Sequence, residues 1–194
     1  NCYFIYREGS QDVIFFDPAD KGDYIYETLK EKGFQVKGIL LTHGHFDHIW
    51  GVNRLKELSG APLYACEAEK VLCEDAVTNV SDQVGRPYTV SPDRYLQDNE
   101  EITIADMTCR LIATPGHTVG SCCYYFAEEG ILIAGDTLFQ DSVGRTDLAT
   151  GSMGALVRSV KEKLFVLPEE TKVYPGHGEA TTIGHEKKYN PFLL

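Results

Sequence analysis

Several things are missing from this 194-residue sequence, and each absence closes a class of protein. No apolar run approaches membrane length and no secretory leader opens the chain, which points away from a membrane partner. Basic residues are few: 18 Lys and Arg stand against 29 Asp and Glu, for a net charge of −11. A phosphate backbone needs a basic surface, so nucleic acid is not an expected partner. An anionic small molecule remains allowed, because a bound metal and one local Arg outweigh an average field. None of the six cysteines, Cys2, Cys66, Cys73, Cys109, Cys122 and Cys123, forms a C-x-x-C pair. Apolar-flanked, unpaired thiols fit a reducing cytoplasm better than a disulfide framework, so a cytoplasmic location is expected. There is no low-complexity tract and no internal repeat by direct match. The chain opens at Asn1 without Met, so a short N-terminal piece is expected to be missing.

What is present is an ordinary globular composition, 43% hydrophobic and 11% aromatic, long enough for one well-buried core. The expectation is therefore a single domain over residues 1–194. Its organising stretch is Leu40-Leu41-Thr42-His43-Gly44-His45-Phe46-Asp47-His48, which holds half of the six histidines. The apolar run Gly38 to Leu41 reads as a buried strand. One amphipathic helix is expected to begin inside the motif and run through Ile49, Val52, Leu55 and Leu58 to Gly60. His43 and His45 flank Gly44, so both can point to one side of an extended turn. Asp47 and His48 start the helix and are expected to aim elsewhere, which suggests two neighbouring metal positions. Imidazole and carboxylate are ligand types that suit zinc, iron or manganese.

Around that stretch the chain reads as α/β. Strands are expected at 2–6 and 12–16, joined by a Gly9-Ser10 hairpin turn, then a helix over 23–32 and a strand over 36–41. A short strand 62–65 and a helix 67–74 precede an irregular region, 76–98, read as a connection rather than a lid over the site. Strands at 101–105, 108–113, 121–126 and 131–134 look antiparallel. Ser152 is a good N-cap for a helix carrying Met153, Leu156, Val157, Val160 and Leu164 on one stripe. A last strand, 172–174, and a last helix, 182–189, close the chain.

Three later turns repeat the pattern of a strand ending in a metal-capable residue. They are Leu111 to His117 through Thr114-Pro115-Gly116, Ile131 to Asp136 through Gly135, and Val173 to His177 through Pro175-Gly176. Taken together, T-H-x-H-x-D-H, P-G-H, G-D and P-G-H resemble the signature of the metallo-β-lactamase superfamily. The resemblance implies an αββα sandwich of two mixed sheets flanked by helices. It implies two divalent metal ions, zinc first and iron or manganese otherwise. His43, His45 and His117 would hold one, Asp47, His48 and His177 the other, and Asp136 would bridge them. Asp47 is also counted with catalysis. Asp17, in Phe16-Asp17-Pro18, matches the family's early Asp and would orient a ligand imidazole, or else simply end its strand. His185 lies outside these motifs and is expected to be an ordinary helix or surface residue.

Local wording narrows the resemblance to the glyoxalase II-like branch, the hydroxyacylglutathione hydrolases. The matching pieces include Asn1-Cys2-Tyr3, Thr114 to Ser121, Gly135 to Phe139, and Gly144-Arg145-Thr146-Asp147. Lactamases of the family commonly have Cys where Asp136 stands, which disfavours that activity. The larger glyoxalase II enzymes continue into a helical glutathione-binding domain, and no such domain is seen in this chain. The expected activity is hydrolysis of a small acyl thioester such as S-lactoylglutathione. Arg145 is the candidate clamp for a substrate carboxylate, with an internal salt bridge to Asp141 or Asp147 as the competing reading. One alternative is a mononuclear iron persulfide dioxygenase using His43, His117 and Asp136. Another, of a different class, is a non-catalytic metal- or thiol-binding module. The sequence leaves the oligomeric state open.

Overall fold

The computed structural model describes all residues, 1–194, and the chain divides into two compact units. Each has a mixed β-sheet and a core of its own.

The first unit comprises Cys2–Leu96 with Thr103–Met107. Its strands are β1 (Tyr3–Tyr6), β2 (Asp12–Phe16), β3 (Gln35–Leu40), β4 (Leu63–Cys66) and β5 (Arg94–Leu96), hydrogen-bonded in that order. The β1–β2 hairpin is antiparallel, and β2 to β5 pair parallel. Parallel neighbours need crossovers, and α1 (Gly22–Glu31) and α3 (Val52–Ser59) supply two of them. Val13, Phe15, Val36 and Ile39 of the strands share one apolar cluster with Leu29 of α1 and with Val52 and Leu55 of α3. The single helix expected after the His-rich motif is instead two, α2 (Phe46–Ile49) and α3, divided at Trp50-Gly51. The Gly51 amide leaves the helical pattern to donate to the Pro18 carbonyl at 2.8 Å. A one-turn 3₁₀ segment at Glu67–Glu69 and α4 (Lys70–Glu74) follow β4.

The stretch after α4, expected to be irregular over 76–98, is tied down by hydrogen bonds and ends in β5. Asn79 is fully buried and donates from Nδ2 to the carbonyls of Leu72 and Tyr88, at 3.1 and 2.8 Å. Its Oδ1 accepts the Ser81 amide. Further along, Lys56 and the Leu63 amide both bind Asp93.

The second unit comprises Asn1, Gln97–Ile102 and Thr108–Leu194. Its sheet is built on β6 (Glu101–Ile104), β7 (Met107–Ala113), β8 (Cys122–Phe126), β9 (Ile131–Gly135), β12 (Lys172–Pro175) and β13 (Thr181–Thr182). β7, β8 and β9 pair antiparallel, while β12 lies parallel to β9. Between them β10 (Leu138–Phe139) and β11 (Ser142–Val143) form a separate two-stranded hairpin that the sequence pattern did not reveal. Helix α5 (Met153–Ser159) starts where expected, with Ser152 Oγ accepting the Ala155 amide, and continues as a π-helical turn, Val160–Leu164. Leu156, Val160 and Leu164 are buried against the sheet, whereas Met153 at the start of the stripe is exposed. Helix α6 (Ile183–Tyr189) is capped by Thr182 Oγ1.

Candidate metal centre

Each unit presents a set of donors at the ends of its strands. In the first, β2 and β3 run parallel with Phe16 beside Leu40, so the chain leaves both strands side by side. Asp17 donates its amide to the Leu40 carbonyl and adopts a left-handed φ of 47°. That uncommon backbone turns its carboxylate onto the motif. The Thr42 amide donates to Asp17 Oδ1 at 2.8 Å, and the Thr42 hydroxyl donates to Oδ2 at 2.6 Å. His48 Nδ1 lies 3.0 Å from the same Oδ2.

These contacts fix tautomers. A carboxylate only accepts, so His48 carries its proton on Nδ1 and keeps its lone pair on Nε2. The Thr42 hydroxyl has spent its proton on Asp17, so at 3.2 Å it accepts from His43 Nδ1. On the same reasoning His43 carries its proton on Nδ1 and its lone pair on Nε2. His43, His45 and His48 are all buried. The His43 ring centroid lies 5.0 Å from that of His45 and 4.0 Å from that of His48. His48 thus returns beside His43 rather than aiming away, because Asp17 pulls its ring inward. The Asp47 side chain is partly exposed, with Oδ2 3.9 Å from His48 Nε2.

In the second unit, β7 runs into the Thr114-Pro115-Gly116-His117 turn. Gly116 has φ +149°, and a Cβ there would lie 2.3 Å from Leu156 Cα. Only Gly lets α5 seat on this turn, where Ser159 Oγ donates to the Pro115 carbonyl and the Ser152 amide to the Gly116 carbonyl. His117 is buried, and its Nδ1 donates to the Arg145 carbonyl at 2.7 Å. A carbonyl cannot donate, so His117 too keeps its lone pair on Nε2. The parallel β9–β12 pair brings Asp136 and His177 together, with the Gly176 amide on the Gly135 carbonyl. One oxygen, Asp136 Oδ2, lies 3.6 Å from His117 Nε2 and 3.5 Å from His177 Nε2.

These residues fit divalent metal ions. Histidine ligands in metal sites present one nitrogen and donate from the other to a carboxylate, carbonyl or comparable acceptor, the pattern that His43, His48 and His117 follow.

Arg145 makes the internal salt bridge. Its Nε and Nη2 donate to the two Asp147 oxygens at 2.7 and 2.8 Å, with both side chains exposed. Those hydrogen bonds, with the guanidinium charge, hold the Asp147 carboxyl down at about 2. Asp141 instead pairs with His185 Nε2 at 2.8 Å. His185 belongs to a separate cluster around the buried Glu186, whose oxygens accept from Thr181, Asn190 and the Asp141 amide. Sequence reasoning missed three supports. Thr42 relays Asp17 to His43, Glu69 accepts the Gly44 amide, and the Asn1 side chain donates to the carbonyls of Pro175 and Gly178, on either side of His177. Thr42 and Asn1 lay in stretches the motif comparison had singled out, and Glu69 did not.

A mixed α/β protein with imidazole and carboxylate donors at its strand ends is a metal-binding protein of the metallo-hydrolase kind. The model of the metallo-beta-lactamase superfamily matches residues 1–177, and the chain belongs to that superfamily. Its mixed sheets and flanking helices are the metallo-β-lactamase fold, as the motifs implied. A probable metallo-hydrolase of Bacillus subtilis, YqgX, is 39% identical over all of this chain and 92% of its own length. The hydroxyacylglutathione hydrolase GloC of Haemophilus influenzae is 30% identical, again over 100% and 92%. Among solved structures, the BLEG-1 B3 metallo-beta-lactamase superposes with a TM-score of 0.94 at 39% identity, covering 100% of this chain and 93% of that one. TTHA1623 in a di-iron-bound form gives 0.87 at 33% identity, covering 100% and 94%.

Proposed function

We propose that this chain is a dinuclear metal-dependent hydrolase of small acyl thioesters, with S-lactoylglutathione as the type of substrate. The observation that carries the reading is the shared tautomer. His43 and His48 in one unit and His117 in the other each engage an oxygen through Nδ1, the arrangement that makes Nε2 the ring's ligand atom. On this reading His43, His45 and His117 would hold the first metal, Asp47, His48 and His177 the second, and Asp136 would serve both. Asp136 suits that role because a single oxygen reaches toward the imidazoles of both His117 and His177. Zinc, iron and manganese all suit such donors, and a di-iron neighbour favours iron alongside zinc. Two such cations, when bound, supply Lewis acidity for a carbonyl and a hydroxide from water at neutral pH.

The chain's own part is orientation. Asp17 keeps the His48 proton on Nδ1 and, through Thr42, that of His43. The Arg145 carbonyl does the same for His117. The Arg145 guanidinium binds a substrate carboxylate by exchanging Asp147 for it, which requires no new geometry because Asp147 already shows a carboxylate in the bidentate position. The choice of a thioester rests on GloC, the relative named for hydroxyacylglutathione, which this chain matches over 92% of its length. One likeness counts the other way: the neighbour described as a B3 metallo-beta-lactamase weakens the argument from Asp136 against lactams.

The test is one assay panel on metal-loaded protein: S-lactoylglutathione, other acyl thioesters, a β-lactam, and glutathione persulfide with an oxygen electrode. Thioester turnover well above the other reactions is expected. Turnover of the lactam alone, or oxygen uptake without thioester hydrolysis, overturns the assignment.

A further inference from the structure

Glu69 is a carboxylate 1% exposed, on the 3₁₀ turn that follows β4. Glu is rarely buried so deeply without a specific partner. Its Oε1 accepts the Gly44 amide at 2.7 Å, and Gly44 lies between His43 and His45. The next alternate amide, that of Phe46, donates to the Asn79 carbonyl at 3.2 Å. The two amides that flank His45 are therefore both held by the 69–79 segment. That segment is itself tied, since Asn79 Nδ2 donates to the Leu72 carbonyl. Contact is close: a Cβ on Gly44 would lie 2.9 Å from Leu72 Cβ and 3.2 Å from the Cys73 amide nitrogen. The turn that presents His43 and His45 thus has one face fixed from behind by the 69–79 segment.

We propose that Glu69 is a positioning residue of the metal centre. Its carboxylate sets the direction of the Gly44 amide, and with it the relative placement of the His43 and His45 imidazoles. The assignment rests on the reading of those two histidines as metal ligands. Losing an outer support of this kind weakens metal binding by about 10–100-fold without removing a ligand. A residue that only stabilised the fold would leave the metal affinity of the folded protein unchanged.

The test is a titration of metal-free protein with Co(II), following the d–d absorption, alongside thermal melting of the metal-free form. Three variants are compared: Glu69→Ala, Glu69→Asp and Glu69→Gln. The Ala variant lacks the acceptor, and the Asp variant is one methylene too short to reach Gly44. Both are expected to bind the cobalt assigned to His43, His45 and His117 at least about tenfold more weakly, with an altered band shape. Gln keeps an oxygen that accepts the Gly44 amide and is expected to restore most of the affinity. If the Ala variant does not fold, the Asp and Gln pair carries the same comparison. Folded Ala or Asp variants that melt lower yet titrate like the parent overturn the assignment of Glu69 alone. A parent protein that takes up no cobalt overturns the metal reading, and this assignment with it.

Discussion

Asp17 does three things with one side chain. It accepts the Thr42 amide, the Thr42 hydroxyl and the His48 imidazole, all from a buried position. Replacing it by Ala frees both imidazoles to change tautomer, so Asp17→Ala is expected to lower metal affinity about 10–100-fold, read by competition with a chelating dye. An unchanged affinity would return Asp17 to the role of a strand-ending residue. The sequence left that choice open because His48, the partner that decides it, lies 31 residues away. Arg145 poses a second test at this scale. Its partner Asp147 occupies the place proposed for a substrate carboxylate, so Asp147→Asn should lower KM for carboxylate-bearing thioesters. Arg145→Ala should raise it about tenfold or more, the scale of a charge-assisted hydrogen bond. Uncharged thioesters should respond to neither. The Asp147 carboxyl titrates below its ordinary value, so the ion pair is complete above about pH 4 and is lost only as pH falls through about 2. No change in this KM effect is therefore expected between pH 5 and 8. A KM that follows pH in that window through Asp147 would contradict the pairing.

At the scale of elements, the strands that feed the four donor turns were legible because each is a short apolar run followed within a few residues by Gly or Pro. The parallel pairing of β3 with β4 and of β9 with β12 follows from the helices between them. The break between α2 and α3 was not legible: the apolar spacing runs on through Val52, and the interruption comes from a distant carbonyl, that of Pro18. The β10–β11 hairpin escaped because two-residue strands carry no period. The role of Glu69 escaped because a Glu at a helix start reads as solvent-exposed, and only long-range packing buries it. The 76–93 connection behaves as part of the scaffold. Asn79 satisfies two carbonyls and one amide there, so Asn79→Ala leaves several buried groups unpaired. It should destabilise the protein by about 2–4 kcal/mol in urea unfolding, given roughly 1–3 kcal/mol for each buried group left unsatisfied. A loss below about 0.5 kcal/mol would show the connection to be dispensable.

For the molecule as a whole, composition indicated an acidic globular protein without a disulfide framework, and none of the six cysteines is in a disulfide. Burial pushes the Cys123 thiol up to about 11 and the Cys109 thiol to about 12, and raises Cys73 as well. A thiol reagent at pH 8 should therefore label the exposed Cys2 in the folded protein and the other five only after unfolding. Rapid labelling of more than one thiol in the native state would contradict this packing. No helix is long and apolar enough to cross a membrane. The candidate donors could be picked out from sequence because each sits in a motif with its own turn. The thiol carrier and the metals could not, since they depend on surfaces and coordination that no motif encodes. The central claim, two metals serving thioester hydrolysis, is tested most directly by metal content and S-lactoylglutathione turnover in His48→Ala and His177→Ala. The account predicts two metals per chain in the parent. In each variant it predicts a fall toward one, with hydrolysis reduced at least about a hundredfold, the scale for losing one well-placed electrostatic element. Full metal retention in both variants, negligible thioesterase activity in the parent and oxygen uptake with glutathione persulfide would contradict it.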